Sequence, residues 1–213
     1  MKSITKQKPF EEIVESLDGF ESVYIIGCGT CTTMTRTGGR EEVIAMKDKL
    51  IEAGKIVTGW VVIPMACDEM TETLINTNNK IIQSSDCLLI MSCALGTHKV
   101  SEYINKPVIP GTDTLFIGLE YKPGFFHEVC AQCGQCIIGY TAGICPITAC
   151  HKGLLNGPCG GTNNGKCEVD KEKDCAWTLI YERLASQNRL HLMRKYLPPK
   201  NNQAVPRPKS VKI

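Results

Sequence analysis

The sequence predicts an α/β chain, in which a Rossmann-like, mainly parallel sheet domain over residues 1–122 precedes a small Cys-rich, metal-stabilised domain over 123–197 and an extended tail over 198–213. Three observations predict it. Short β-rich runs alternate with helical periods as far as Tyr121-Lys122-Pro123-Gly124, the pattern of a parallel sheet with crossover helices. Eight of the 13 cysteines then fall between Cys130 and Cys175. After Leu197 the residues Pro198-Pro199-Lys200-Asn201-Asn202-Gln203 and Pro206-Arg207-Pro208 cannot build a core, and they favour either an extended chain able to order along a partner or a disordered end.

The elements follow in order. Phe10, Ile13, Val14 and Leu17 recur at helical spacing, and Asp18-Gly19 ends that helix. Val23 to Ile26 reads as a buried strand. A helix from Glu41 carries Val43, Met46 and Leu50 on one face and stops near Gly54. The next strand lies within Val57 to Met65, a helix covers about Asp68 to Ser84, and Cys87 to Met91 forms another strand. A short helix around Val100 to Ile104 precedes a strand near Val108. In the second half, Trp177, Ile180, Tyr181 and Leu184 mark one face of a helix beginning near Cys175.

Composition narrows the chemistry. With 213 residues and 43% apolar content, the chain can bury one or two ordinary cores without disulfide staples. Met1 to Pro9 carries charge with no apolar stretch after it, so no secretory signal is expected and the reducing cytoplasm is the expected location. There, clustered thiols bind metal or do redox work. The longest apolar runs, Trp60 to Met65 and Leu88 to Met91, have the size of buried strands rather than membrane spans. A formal charge of +2 without a basic block gives no footprint for nucleic acid.

In the first half, Cys28 and Cys31 follow the first predicted strand in Gly27-Cys28-Gly29-Thr30-Cys31, Cys67 follows the second, and Cys93 follows the third. Parallel strands place all four thiols at one edge of the sheet, outside the strand carboxyl ends, where open α/β sheets bind ligands. Four sulfurs there suit a metal or a cubane cluster. Free core cysteines are the plain alternative. Gly27-Cys28-Gly29 also begins a dinucleotide fingerprint, but Thr32 replaces its third glycine, and no acidic residue closes the second strand. Cys87, inside Asp86-Cys87-Leu88-Leu89, reads as a small buried hydrophobe.

In the second half, Cys130-Ala131-Gln132-Cys133-Gly134-Gln135-Cys136 repeats a two-residue gap, and Cys145-Pro146 adds the ending used in ferredoxins. Setting Cys87 aside leaves 12 of the 13 cysteines, enough for three four-cysteine sites. A local grouping gives Cys130, Cys133, Cys136 and Cys145 to one site and Cys150, Cys159, Cys167 and Cys175 to the other. In two-cluster ferredoxins, however, the cysteine before proline serves the neighbouring cluster, so the partition stays open. Zinc is the structural alternative to iron at either site. The glycines of Asn156-Gly157-Pro158-Cys159-Gly160-Gly161 let backbone N–H groups approach sulfur, and His151 is a candidate zinc ligand or a solvated side chain. No His, Ser or carboxylate constellation reads as catalytic.

The run Cys145-Pro-Ile-Thr-Ala-Cys150-His-Lys-Gly-Leu-Leu-Asn-Gly-Pro-Cys159-Gly-Gly, then Gly165-Lys-Cys167-Glu-Val, then Cys175-Ala-Trp177-Thr-Leu-Ile-Tyr181-Glu-Arg183-Leu184, resembles the methylenetetrahydrofolate reductase C-terminal domain family from about Phe125 to Pro199. The preceding half resembles the amino-terminal portion of the small iron–sulfur subunit that accompanies the flavin-bearing reductase in acetogenic bacteria. The resemblance implies up to three [4Fe–4S] clusters, with zinc at one of the two C-terminal sites as an option. It also implies a non-catalytic role in one-carbon metabolism of the Wood–Ljungdahl pathway, passing electrons to a partner barrel subunit that holds FMN or FAD. A barrel of eight strand–helix units needs about 250 residues, more than precede Tyr121, so flavin and folate chemistry belong to that partner. The alternative is a zinc-stabilised docking subunit of the same reductase without redox work. The upstream electron donor is left open.

Overall fold

The computed structural model describes residues 2–201, and their contacts divide into two units, one running to Phe126 and the other starting at His127. The first unit is organised around strands that bury both faces. Strand β2 (Ser22–Cys28) is buried from Val23 to Cys28, and β4 (Cys87–Met91) is buried throughout. Such continuous apolar runs are what a parallel sheet sandwiched between helices requires. With β3 (Ile56–Ile63) and β5 (Val108–Pro110) they form a four-stranded sheet in the order β3-β2-β4-β5, every neighbour parallel.

Alternation along the strands sorts the side chains to two cores. Val23, Ile25, Leu89 and Met91 pack with Ile13 of α1 (Phe10–Ser16), with Leu17, and with Val43, Met46 and Leu50 of α3 (Arg40–Glu52). Between these helices lies the four-residue α2 (Cys31–Met34). Tyr24, Ile26, Leu88 and Ile90 pack on the opposite face with Ile75 and Ile82 of α4 (Met70–Gln83) and Val100 of α5 (Ala94–Glu102). The chain leaves β2 toward β3 and leaves β4 toward β5, so the strand order reverses between β2 and β4. That reversal opens a crevice at the carboxyl ends of these two strands.

Two details fasten the sheet. At its amino edge the Asp86 carboxylate accepts hydrogen bonds from the Ser22 amide at 2.8 Å, the Ser22 hydroxyl at 2.9 Å and the Glu21 amide at 3.0 Å. At its carboxyl edge Gly38 packs against β4 so closely that a Cβ there would sit 1.9 Å from the Met91 carbonyl oxygen.

The fold departs from a wholly parallel design. Strand β1 (Lys2–Gln7) pairs antiparallel with β6 (Thr112–Lys122), and β7 (Phe125–Glu128) completes a second sheet in the order β1-β6-β7. The sequence predicts no element before Phe10, because Lys-Ser-Ile-Thr-Lys-Gln carries a single apolar residue. Burial of Ser3 and Thr5 beside Ile4 is a tertiary effect, with Thr5 Oγ1 bonded to Thr37 Oγ1 at 2.6 Å and Thr35 Oγ1 at 2.9 Å. The short helix expected over Val100 to Ile104 starts earlier, at Ala94, with Cys93 as its N-cap residue.

The second unit has less regular structure. It contains α6 (Pro146–Ala149), α7 (Ala176–Ser186), two 3₁₀ turns (Ile138–Tyr140 and Leu190–Arg194) and the isolated bridges Asn163–Lys166 and Lys166–Asp174. Its core is Ala142, Trp177, Ile180 and Leu184. The Trp177 indole N–H donates to the Leu154 carbonyl at 3.0 Å, and the Asn156 amide exchanges two hydrogen bonds with the Leu197 backbone, at 2.7 and 2.8 Å. Of the expected tail, residues 202–213 lie outside the described residues. Among the described residues no helix is long and apolar enough to cross a membrane.

Candidate functional site

The carboxyl edge of the parallel sheet is built by hydroxyl groups as much as by strands. Cys28 ends β2, and its N–H donates to the Gly38 carbonyl at 3.0 Å. The Thr32 and Thr33 hydroxyls both donate to the Cys28 carbonyl, at 3.0 and 2.9 Å, while Thr35 Oγ1 donates to the Cys31 carbonyl at 3.1 Å. Thr30 Oγ1 reaches the Pro64 carbonyl at 2.6 Å and so joins the loop after β2 to the loop after β3. In that second loop Thr71 Oγ1 donates to the Ala66 carbonyl at 2.9 Å, fixing the bend before Cys67. After β4, Thr112 Oγ1 donates to the Ser92 carbonyl at 2.5 Å, immediately before Cys93.

These anchors bring Cys28, Cys31, Cys67 and Cys93 into one neighbourhood. Cys28 and Cys93 are buried, Cys31 is half-buried and Cys67 is exposed. Desolvation first, and then the nearby sulfurs of Cys93, Cys28 and Cys31, push the Cys67 thiol above its usual range. A thiol whose ionisation neighbouring sulfurs oppose gains from positive charge placed among them, which a bound metal would supply. Four soft sulfur donors are the set that a thiolate-held centre would use. Cys31 is the first residue of α2 and Cys93 the N-cap residue of α5.

Cys150, Cys159, Cys167 and Cys175 line a single cavity in the second unit, floored by Ala176 and Trp177. The Gly161 N–H donates to Cys159 Sγ at 3.4 Å, and Cys159 Sγ meets Glu168 Oε1 at 3.5 Å. Glu168 is in turn paired with Lys152. The Cys167 N–H bonds the Lys173 carbonyl at 2.9 Å and the Cys175 N–H the Gly165 carbonyl at 2.7 Å, which fold this loop back on itself. Cys175 is the N-cap residue of α7. Burial opposes its ionisation, but the Thr178 amide and hydroxyl, the Trp177 amide and the Thr162 hydroxyl hold its thiol below the usual range. This cavity too is lined by four soft sulfur donors.

The remaining run is more loosely held. Cys130 and Cys136 are exposed, and Cys133 and Cys145 are half-buried. The Gln132 N–H bonds Cys130 Sγ at 3.4 Å, and backbone hydrogen bonding at Gln135, with Lys200 nearby, holds the Cys133 thiol below its usual range against the effect of burial. Cys145 precedes Pro146 at the start of α6, and Thr148 Oγ1 bonds the Val129 carbonyl at 3.1 Å, tying the start of this run to that helix. Among the described residues, no three Cys, His, Asp or Glu side chains in any of these regions converge as tightly as a single metal ion requires.

Two other candidates resolve simply. Cys87 is fully buried, and desolvation followed by the adjacent Asp86 charge pushes its thiol up to about 11, as suits a core residue. His151 faces Asp170 at 3.7 Å rather than a sulfur. The sequence reading named the sulfurs but not the Thr30, Thr32, Thr33, Thr35, Thr71 and Thr112 anchors. The density of threonines after Cys28 was the available signal.

Comparison with known proteins gives one match. Residues 109–203 match the family described as "Methylene-tetrahydrofolate reductase C terminal", from β5 through the Cys-rich unit. No curated protein and no solved structure matches the chain.

Proposed function

We propose that this chain is an iron–sulfur electron-transfer subunit that relays electrons to a flavin-containing methylenetetrahydrofolate reductase catalytic subunit in one-carbon metabolism, acting in a reducing cytoplasm. The observation that carries the reading is the gathering of Cys28, Cys31, Cys67 and Cys93 at the crevice where the strand order reverses. The family match over residues 109–203 supports a methylenetetrahydrofolate reductase as the partner. A bound cluster supplies one-electron transfer without proton or group chemistry, which a flavin then gathers into a two-electron reduction.

This chain's own residues do the rest. Cys28, Cys31, Cys67 and Cys93 would hold one centre over residues 1–122; Cys150, Cys159, Cys167 and Cys175 would hold a second, and Cys130, Cys133, Cys136 and Cys145 a third, over residues 123–197. Buried Cys28 and Cys93 keep the inner side of the first centre dry, while exposed Cys67 leaves an outer side open to a partner. Against the effect of burial, the Thr178 amide and hydroxyl at the start of α7 favour thiolate over thiol at Cys175.

The small core of the second unit favours a structural zinc at one of its two sites, since so few buried side chains hold its loops. Anaerobic purification followed by iron, zinc and acid-labile sulfide analysis tests both readings. Iron with sulfide, reduced in step with the partner's flavin, is the expected result. Zinc without sulfide would leave a docking subunit and end the electron-transfer reading. Cys28→Ser and Cys67→Ser should each remove one cluster's signal and leave the metal of the second unit in place.

A further inference from the structure

Ser92 follows β4 directly and precedes Cys93, and its side chain is fully buried. Its carbonyl is well satisfied, accepting from Thr112 Oγ1 at 2.5 Å and Thr97 Oγ1 at 3.4 Å. Its hydroxyl is different: among the described residues, Ser92 Oγ is the buried side-chain oxygen or nitrogen with no hydrogen-bond partner. Burying such a group unpaired is unfavourable, so a native structure that keeps one calls for a reason.

The position of the hydroxyl gives the reason. Leu88, Ile90 and Ser92 alternate onto one face of β4, and Leu88 and Ile90 share their core with Cys28 and Ala66. A methyl at Gly96 would lie 2.2 Å from Ser92 Oγ and 2.9 Å from the Ala66 side chain. The hydroxyl is thus seated beneath the first turn of α5, between Cys93 at the helix cap and the Ala66-Cys67 segment. Gly96 lacks the side chain that would displace it.

We propose that the Ser92 hydroxyl donates a hydrogen bond to sulfur of the centre held by Cys28, Cys31, Cys67 and Cys93, and thereby raises the reduction potential of that centre. The inference rests on the iron–sulfur reading above. Reduction adds negative charge that is shared by the sulfurs, so a donor aimed at them stabilises the reduced form more than the oxidised one. Because the site is shut off from water at this point, no solvent molecule replaces the donor when it is removed.

The experiment compares Ser92→Ala with the unsubstituted full chain, both prepared anaerobically. Iron and sulfide are counted, and the midpoint potential is read on the electron paramagnetic resonance signal that Cys67→Ser abolishes. The expected result is an unchanged iron and sulfide count with a lower potential, such that the reduced-to-oxidised ratio at fixed poise falls about tenfold, or about 59 mV for one electron. Full iron with an unmoved potential overturns the role of Ser92 and leaves the cluster reading standing. An iron-free site in the unsubstituted protein overturns that reading and this inference with it. If Ser92→Ala does not accumulate, the unsubstituted protein still decides: its Fe–S stretching bands in resonance Raman spectra must shift on exchange into D₂O, and bands that stay in place refute the hydrogen bond.

Discussion

Cys28 leaves a strand buried on both faces and is followed by hydroxyls that fasten its own carbonyl, whereas Cys159 lies in a loop whose neighbours Pro158 and Gly160 are exposed. The same contrast holds for the units around them. In the first, two cores on either side of a parallel sheet fix the strand ends before any ligand arrives. In the second, a core of Ala142, Trp177, Ile180 and Leu184 supports a long path of turns. One thiol set is positioned by a fold; on the function proposed above, the other helps to make one.

On the proposed thiolate-held centres, metal removal is the strongest way to break this comparison. Chelation under reducing conditions is expected to abolish amide-exchange protection along α7 while the amides of Ile25 and Leu89 stay protected. Structural thiolate sites supply about 10–16 kcal/mol in small metal-folded domains, far more than this second core can replace. Simultaneous loss of protection in both units would show that the contrast is false.

A side-chain truncation sharpens it at smaller scale. Trp177→Ala removes the largest member of the second core and the donor to the Leu154 carbonyl, and it should cost about 3–5 kcal/mol in denaturant unfolding of the metal-loaded protein. Ile25→Val, in the well-supported first core, should cost about 0.5–1.5 kcal/mol.

The smallest effect is a pH dependence confined to the first unit. The Ser22 amide and hydroxyl, with the Glu21 amide and Lys106 assisting, hold the Asp86 carboxyl below its usual range. A folded-state pKa depressed in this way contributes stability above the unfolded value of about 3.9, and the contribution is lost as pH falls through the folded one. Asp86→Asn should therefore lower the melting temperature of the first unit at neutral pH, and the gap should close below about pH 4. A gap that persists in acid would mean that the carboxylate charge is not the source.

Much of the first unit was legible because buried parallel strands are continuous apolar runs. Val23 to Ile26 and Cys87 to Met91 need no tertiary knowledge to be seen, nor does the Val43, Met46 and Leu50 stripe of α3. The antiparallel pair β1–β6 was not legible, since Lys-Ser-Ile-Thr-Lys-Gln acquires its burial by pairing with distant β6 and by packing against the loop after Cys28. The strand-end sulfurs could be named from the geometry of parallel sheets, but their anchors join distant residues, as Thr30 does with Pro64. Ser92 was invisible for the same reason: a serine beside a cysteine carries no mark of being buried without a partner. The division of Cys130 to Cys175 rests on loops whose course no periodicity encodes.

The close approach of Gly38 to the end of β4 has a consequence for how this protein can change. Any side chain at that residue must push the Met91 carbonyl away, and with it the peptide chain that turns into Ser92 and Cys93. Enlarging residue 38 would thus prise Cys28 and Cys93 apart without altering either of them, so the permitted size of one uncharged residue sets the spacing of two sulfurs.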